Sequence, residues 1–153
     1  MTKTMKLAKQ FFYLLRCSHW SKSAFVLLGL IYSGSLEYLI PALLASLAFC
    51  LIASAVYIYN DLQDIEQDRL HPHKCKRPLA NGDVSLDVAV SMLALLLLMG
   101  LLLGWSISPA LAVILSTYLM LNLAYNHFLK NLPILDVVCI ASGFMLRVLA
   151  GTI

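Results

Sequence analysis

Asn60-Asp61-Leu62-Gln63-Asp64-Ile65-Glu66-Gln67-Asp68-Arg69 is a polar island between two long apolar stretches. Of the chain's 8 acidic residues, five lie in the island or just after it: Asp61, Asp64, Glu66, Asp68 and Asp83. If the entering helix continues through the island, Asn60 and Asp64 are i,i+4 neighbours, as are Asp64 and Asp68. Asp61 is then i,i+3 from Asp64, and all four share one face. Carboxylates at that spacing repel by roughly a few tenths of a kcal/mol per pair in water, and by more beside lipid. A cation is expected among them. Mg²⁺ is the simplest candidate, a hard ion that takes one or two carboxylates and keeps positions for water and substrate phosphates. The bases Arg69, Lys74, Lys76 and Arg77 follow at once. Acids that hold a metal beside bases that hold phosphate suit a diphosphate substrate. The plainer alternative is a solvated helix end that carries acids by chance.

The apolar flanks set the class. Hydrophobic residues make up 61% of the 153 and charged residues 12%, against about 45–50% and 25% in a soluble domain. Mean hydropathy is +0.84. The expected fold is all-α: a multi-span transmembrane bundle in one membrane domain over residues 1–153, with room for about five helices. The net charge of +3 comes with no basic stripe alternating with aromatics, so nucleic acid is not an expected partner. Cys17, Cys50, Cys75 and Cys139 form no Cys-x-x-Cys pair and no zinc-ligand spacing, and read as small apolar residues. No small-x-small site closes a short apolar core near the start, so no cleavable signal peptide is expected.

Residues 1–22 carry Lys3, Lys6, Lys9, Arg16 and Lys22 between Leu7, Phe11, Phe12, Leu14 and Leu15. This reads as a basic amphipathic helix on the membrane surface, with His19 and Trp20 at the interface. Spans are expected over roughly 23–36, 38–59, 86–105 and 110–125, with a fifth from about Ile134 to the last residue. The run Leu93–Leu98 reads as lipid-facing. Residues 61–83 form the one long polar loop. His71-Pro72 should stop the island's helix, because the residue before proline disfavours αR. Arg77-Pro78 and Asn81-Gly82 mark further turns, and Ser85 is a candidate cap for the next helix.

Ten of the eleven Lys and Arg lie in the N-terminal segment, the 61–83 loop and the turn at Lys130. The positive-inside rule puts all three on the cytoplasmic side of the cell (inner) membrane. Arg147 lies inside the fifth span. An arginine at that depth calls for a phosphate or a carboxylate such as Asp136, and the plainer alternative is a buried structural ion pair.

The island reads Asn-Asp-x-x-Asp-x-x-x-Asp at Asn60, Asp61, Asp64 and Asp68, and resembles the first aspartate-rich motif of the UbiA superfamily of intramembrane prenyltransferases. Asp68-Arg69-Leu70-His71-Pro72-His73-Lys74 and Lys76-Arg77-Pro78-Leu79-Ala80-Asn81-Gly82 resemble its continuation in the branch that includes decaprenyl-phosphate phosphoribosyltransferases. Tyr125-Asn126-His127-Phe128-Leu129-Lys130 is similar to the Tyr…Leu-Lys motif of that branch. Leu135-Asp136-Val137-Val138 and Gly143-Phe144-Met145-Leu146-Arg147 resemble the stretch that follows. Near the start the branch shows Arg-Pro-x-Gln-Trp-x-Lys-Asn, of which this chain keeps Arg16, Trp20 and Lys22. Family members have about nine helices in two pseudo-repeated halves, so the resemblance implies half of a nine-helix UbiA-type fold. A second half-length polypeptide or a second copy is then the implied partner.

The resemblance implies Mg²⁺ on Asp61, Asp64 and Asp68, bridging to a diphosphate, with Asp64, Asp68 and Lys130 as catalytic residues. It implies substrate contacts at Asn60, Lys22, Arg69, Lys74, Arg77, Tyr125, Asp136 and Arg147. Asn60 would orient a carboxylate or bond a phosphate oxygen. Lys74 and Arg77 would clamp phosphate, and Lys130 and Tyr125 would meet a second phosphorylated substrate. The plainer reading of the bases is attraction to anionic membrane lipids, about 1 kcal/mol each. In the phosphoribosyl branch a Mg-dependent transferase moves 5-phosphoribose from a diphosphate co-substrate to a polyprenyl phosphate lipid. The alternatives are prenyl transfer from a polyprenyl diphosphate to an aromatic acceptor, a non-catalytic membrane fragment, and a small Mg²⁺- or anionic-lipid-binding protein.

Overall fold

Backbone inside a bilayer has no water to bond, so apolar runs of bilayer length must form helices. The computed structural model describes residues 3–129 and 133–153, and these are helical throughout apart from turns. The α-helices are α1 (Lys3–Leu14), α2 (Phe25–Ser33), α3 (Leu39–Gln63), α4 (Ile65–Leu70), α5 (Leu86–Ile107), α6 (Pro109–Ala124) and α7 (Pro133–Ala150). Among the described residues, three helical stretches are long and apolar enough to cross a membrane: Leu36–Gln63, Leu86–Ile107 and Pro109–His127. The 22 residues of α5 reach about 33 Å, against a hydrocarbon core of about 30 Å. The protein is a multi-pass helical membrane protein. The expected first span is shorter than its hydropathy suggested, because residues Cys17–Ala24 wind as a 3-10 helix before the nine-residue α2. The expected fifth span falls on α7, whose apolar part, Val137–Ala150, is shorter than the three long helices and is not counted among them.

Helix α3 is the axis, packed along α5 and touching α2, α6 and α7. Its inward face is mostly small: Ala42, Ala45, Ala48, Ala53 and Ala55, with Phe49, Ile52 and Ile58 between them. Small faces let helices approach where lipid gives no hydrophobic drive to associate. Closest of all are α2 and α7. A Cβ on Gly29 would overlap the Val148 carbonyl oxygen and lie 2.9 Å from the Gly151 Cα. A Cβ on Gly151 would overlap the Val26 carbonyl oxygen and lie 2.9 Å from the Leu30 N.

Ends follow local chemistry. Gly34, at φ +69°, closes α2 in the left-handed region that glycine enters freely. Extended backbone at His71 ends α4 ahead of Pro72. Ser85 stands at the start of α5, but its side chain makes no cap bond. Ser108 makes the cap bond that Ser85 lacks: its Oγ accepts from the Leu111 N at 3.0 Å, with Pro109 in the first helical position.

Two sequence expectations are corrected here. Leu93–Leu98 is not wholly lipid-facing: Leu95 and Leu98 are exposed, while Leu96 is buried in a cluster that also holds Leu14 and Ala89. At 3.6 residues per turn a six-residue run must wrap the helix. Residues 1–22 are not one surface helix either. Arg16 breaks it with φ 48° and ψ 46°. The chain on either side of it is strapped to α3: Trp20 Nε1 donates to Ser54 Oγ at 3.0 Å, Ser54 Oγ donates to the Leu15 carbonyl at 2.8 Å, and Ser46 Oγ donates to the Ser23 carbonyl at 3.0 Å.

Candidate functional site

The helix of the island does continue, with one flaw. Helix α3 ends at Gln63, Asp64 sits at φ −99° and ψ 8°, and α4 resumes at Ile65. The i→i+4 bonds survive the break: Asp64 N donates to the Asn60 carbonyl at 3.1 Å and Asp68 N to the Asp64 carbonyl at 2.8 Å. Asp61 and Asp68, two helical turns apart, therefore point the same way.

Both carboxylates are buried, and both are held by arginine. Arg77 Nη1 donates to Asp68 Oδ2 at 2.6 Å and to Asp61 Oδ1 at 3.1 Å. Arg16 Nη2 donates to the same Asp61 oxygen at 2.6 Å. Its guanidinium lies 4.6 Å from the centroid of the Tyr57 ring. Lys74 Nζ stands 3.9 Å from Asp68 Oδ1. Arg69 has a structural use, donating from Nε to the Ala80 carbonyl at 3.2 Å and so tying α4 to the loop.

Of these groups, Arg16, Asp61 and Arg77 line a cleft of about 960 Å³. Lys9, Arg16, Lys76 and Arg77 bring four cations to its wall, with His19 and His73, the rings of Phe12 and Tyr13, and Asp61 as the acid. Partial burial, then Lys22 and Arg16, hold the His19 imidazole below its ordinary value. Burial pushes the Cys17 thiol up, so that thiol stays protonated at neutral pH. Sequence reasoning set Arg16 among the family's residues but missed Lys9, Tyr13, His19 and His73 as cleft residues. For Lys9, Tyr13 and His19 the signal was a basic, aromatic segment whose destination no local pattern reveals, and His73 lay in the polar loop.

Asp64, at the break, is half-buried and makes no ion pair among the described residues. Asn60 Oδ1 is buried with no hydrogen-bond partner. Among the described residues no three His, Cys, Asp or Glu side chains gather as a metal-binding group. The donors nevertheless fit a hard cation in kind. Asp61 and Asp68 already converge on one positive nitrogen, and the orphaned Asn60 oxygen is the kind of ligand that Mg²⁺ takes.

The remaining expected residues lie elsewhere. Lys22 and Arg147 line a separate cavity between the 3-10 segment, α3, α6 and α7. Tyr125 lies in a π-helical turn, Tyr125–Leu129, and lines a small pocket with Asn122 and Cys139. In that turn the ring of His127 meets α3, with Nε2 2.6 Å from the Tyr59 hydroxyl. Lys130 and the side chain of Asp136 lie outside the described residues.

Comparison with known proteins points one way. Decaprenyl-phosphate phosphoribosyltransferase of Mycolicibacterium smegmatis is 40% identical over 107 residues, 70% of this chain and 34% of the relative. The enzyme of that name from Corynebacterium glutamicum is 35% identical over 144 residues, 90% of this chain and 43% of the relative. Nodulation protein NoeC of Azorhizobium caulinodans is 31% identical over 138 residues, 89% of this chain and 45% of the relative. The chain thus spans from about a third to under half the length of these relatives. The model of the UbiA prenyltransferase family matches residues 23–153, which include the acidic island, the basic loop and all three long apolar helices. The chain belongs to the UbiA prenyltransferase family.

Proposed function

We propose that this chain carries the donor-binding part of a membrane transferase that moves 5-phosphoribose from phosphoribosyl diphosphate to a polyprenyl phosphate. One observation supports this above the rest: Arg77 bridges two buried carboxylates at the wall of a four-cation cleft. A cleft with that excess of positive charge suits a phosphorylated, water-soluble co-substrate. The relatives named for phosphoribosyl transfer favour this donor over the others.

In the transfer, the bond between the ribose anomeric carbon and the diphosphate oxygen breaks. An oxygen of the lipid phosphate bonds to that carbon, and diphosphate leaves. The attacking oxygen is already anionic, so no base needs to remove a proton. Asp61, Asp64 and Asp68, with Asn60 Oδ1, would hold Mg²⁺, which when bound neutralises the departing diphosphate. Arg77 then gives up its carboxylates and takes phosphate oxygens, a bidentate exchange that a guanidinium is shaped for. Lys74, Lys76, Lys9 and Arg16 hold the remaining phosphate charge. Lys130, Tyr125 and Asp136 are assigned to the acceptor side. The N-terminal segment, the 61–83 loop and Lys130 face the cytoplasm, where the water-soluble donor is met. The remainder of a full-length fold, from a second polypeptide or a second copy, completes the cavity.

A second reading follows from the family itself, whose description is prenyl transfer. The donor is then a polyprenyl diphosphate and the acceptor an aromatic ring. The test is a membrane-extract assay with labelled phosphoribosyl diphosphate, polyprenyl phosphate and Mg²⁺. It is run on this chain alone and on this chain joined to the remaining length of a relative. Label in the lipid fraction is the expected result. Label appearing on an aromatic acceptor from polyprenyl diphosphate would replace this reading with the second. No phosphoribosyl transfer in either form would overturn the first reading, and no prenyl transfer from polyprenyl diphosphate to an aromatic acceptor as well would leave a non-catalytic membrane protein.

A further inference from the structure

Arg147 is 6% exposed on α7 and makes no ion pair among the described residues. Its Nη1 donates to the Gly143 carbonyl at 2.7 Å and its Nη2 to the Tyr118 hydroxyl at 3.0 Å. The guanidinium faces the rings of Tyr118, Phe49 and Phe144, with centroids at 4.6, 5.3 and 5.9 Å. All of these neighbours are neutral. Its Nε–H is buried with no partner. The acid nearest along its own helix, Asp136, is eleven residues away, about 16 Å at 1.5 Å per residue. Asp61 and Asp68 are already paired with arginine. Rings can cradle a buried cation but do not neutralise it, so this guanidinium has no counter-ion among the described residues.

Arg147 lines a cavity of about 130 Å³ together with Lys22, a second cation that makes no ion pair among the described residues. Ile140 lines the same cavity and is 55% exposed, so the cavity opens on the apolar outer side of α7. We infer that Arg147 and Lys22 form an anion seat, apart from the acidic island, that takes the phosphate of a lipid phosphomonoester whose chain leaves past Ile140. A planar guanidinium matches two phosphate oxygens, and two cations match a dianion. The assignment rests on the proposed transfer only in identifying that lipid with the acceptor.

The test is equilibrium binding of labelled farnesyl monophosphate to the full chain in detergent without Mg²⁺, with inorganic phosphate and farnesol as competitors. Farnesyl monophosphate is expected to bind, with farnesol and inorganic phosphate each at least tenfold weaker. Arg147→Gln should weaken binding tenfold or more, and Arg147→Lys less. Lys22→Gln, on an exposed residue, should weaken it severalfold with the melting temperature unchanged. Equal affinity for farnesol would show a purely apolar site, and equal affinity for inorganic phosphate a soluble-anion site; either overturns the proposal. So does unchanged binding in Lys22→Gln, or in an Arg147→Gln that still folds. Loss of transfer with farnesyl monophosphate binding intact would sink the proposed reaction and leave the seat standing. Normal transfer with unaltered binding in Arg147→Gln would sink the seat alone.

Discussion

Arg16 Nη2 lies 2.6 Å from Asp61 Oδ1 across forty-five residues of chain, and Arg77 Nη1 approaches the same oxygen at 3.1 Å. One carboxylate oxygen thus joins the N-terminal segment, the end of α3 and the basic loop. The Asp61 side chain is 4% exposed, and the two arginine side chains are 24% and 27% exposed. Removing the acid would leave two guanidiniums facing each other with no anion between them. Asp61→Ala is expected to cost about 3 kcal/mol, the scale for breaking a buried pair from one side. Arg16→Gln should cost about 1 kcal/mol, because Arg77 stays on the carboxylate. Thermal unfolding in detergent measures both, and equal melting of the two variants would refute the shared-oxygen account.

The α2–α7 contact makes a separate prediction. Gly29→Ala drives a methyl group into the Val148 backbone, which cannot rotate away. Gly143→Ala meets Tyr118 and Arg147 side-chain atoms at 3.5 and 3.6 Å, ordinary van der Waals contact. Gly29→Ala should therefore destabilise by about 1–3 kcal/mol, the range for overpacking. Gly143→Ala should stay within about 0.5 kcal/mol. Limited proteolysis of the two variants separates them, and similar protease resistance would mean that α2 and α7 do not pack this closely.

What the sequence made legible was local. The polar island, the stop at His71-Pro72 and the turn at Asn81-Gly82 rest on residue types and short spacing, and the structure has them where expected. The long-range contacts were not legible. Ser54 is one hydroxyl in an apolar helix, and nothing near it reveals that it clamps Trp20 and the Leu15 carbonyl. Arg147 was expected beside a phosphate or carboxylate, and the structure places aromatic rings around it. A repulsive row of acids was expected to wait for a metal. Arginines from two other segments supply much of the neutralisation, a solution that helical spacing alone cannot foresee. Asp64 alone of the three lacks such a partner among the described residues, because it sits at the break between α3 and α4.

His19 gives the pH dependence. Partial burial, Lys22 and Arg16 disfavour its charged form in the folded chain. Its folded value therefore lies below the unfolded value of about 6.5. The sign follows: the neutral ring's contribution is complete above about pH 6.5 and is lost as the pH falls through the lower, folded value. The Tyr57 hydroxyl lies 3.3 Å from His19 Nδ1, a contact that a protonated ring could make only as a donor. The melting temperature of the native chain should fall more than that of His19→Gln between about pH 7.5 and 5.5. Parallel curves would mean that folding leaves the His19 pKa where it is in the unfolded chain.

Asp64 and Asp68 should separate chemistry from architecture. Asp68 is buried and holds Arg77 and Lys74, so Asp68→Asn removes a charge that the fold itself uses. Asp64 holds no ion pair among the described residues, so Asp64→Asn leaves the island's arginine pairs in place. Under the proposed reaction, a side chain that the fold does not need, four residues along the chain from Asn60 and its orphaned oxygen, serves the bound cation. Asp64→Asn is therefore expected to melt within about 1 °C of the native chain, since it removes no contact on which stability depends. The same variant should lower transfer at least a hundredfold in the chain joined to the rest of its fold, about 2.7 kcal/mol of transition-state stabilisation. Asp68→Asn should lose both stability and transfer. Full turnover in Asp64→Asn would remove Asp64 from the cation site, and a melting loss as large as that of Asp68→Asn would make Asp64 a structural residue.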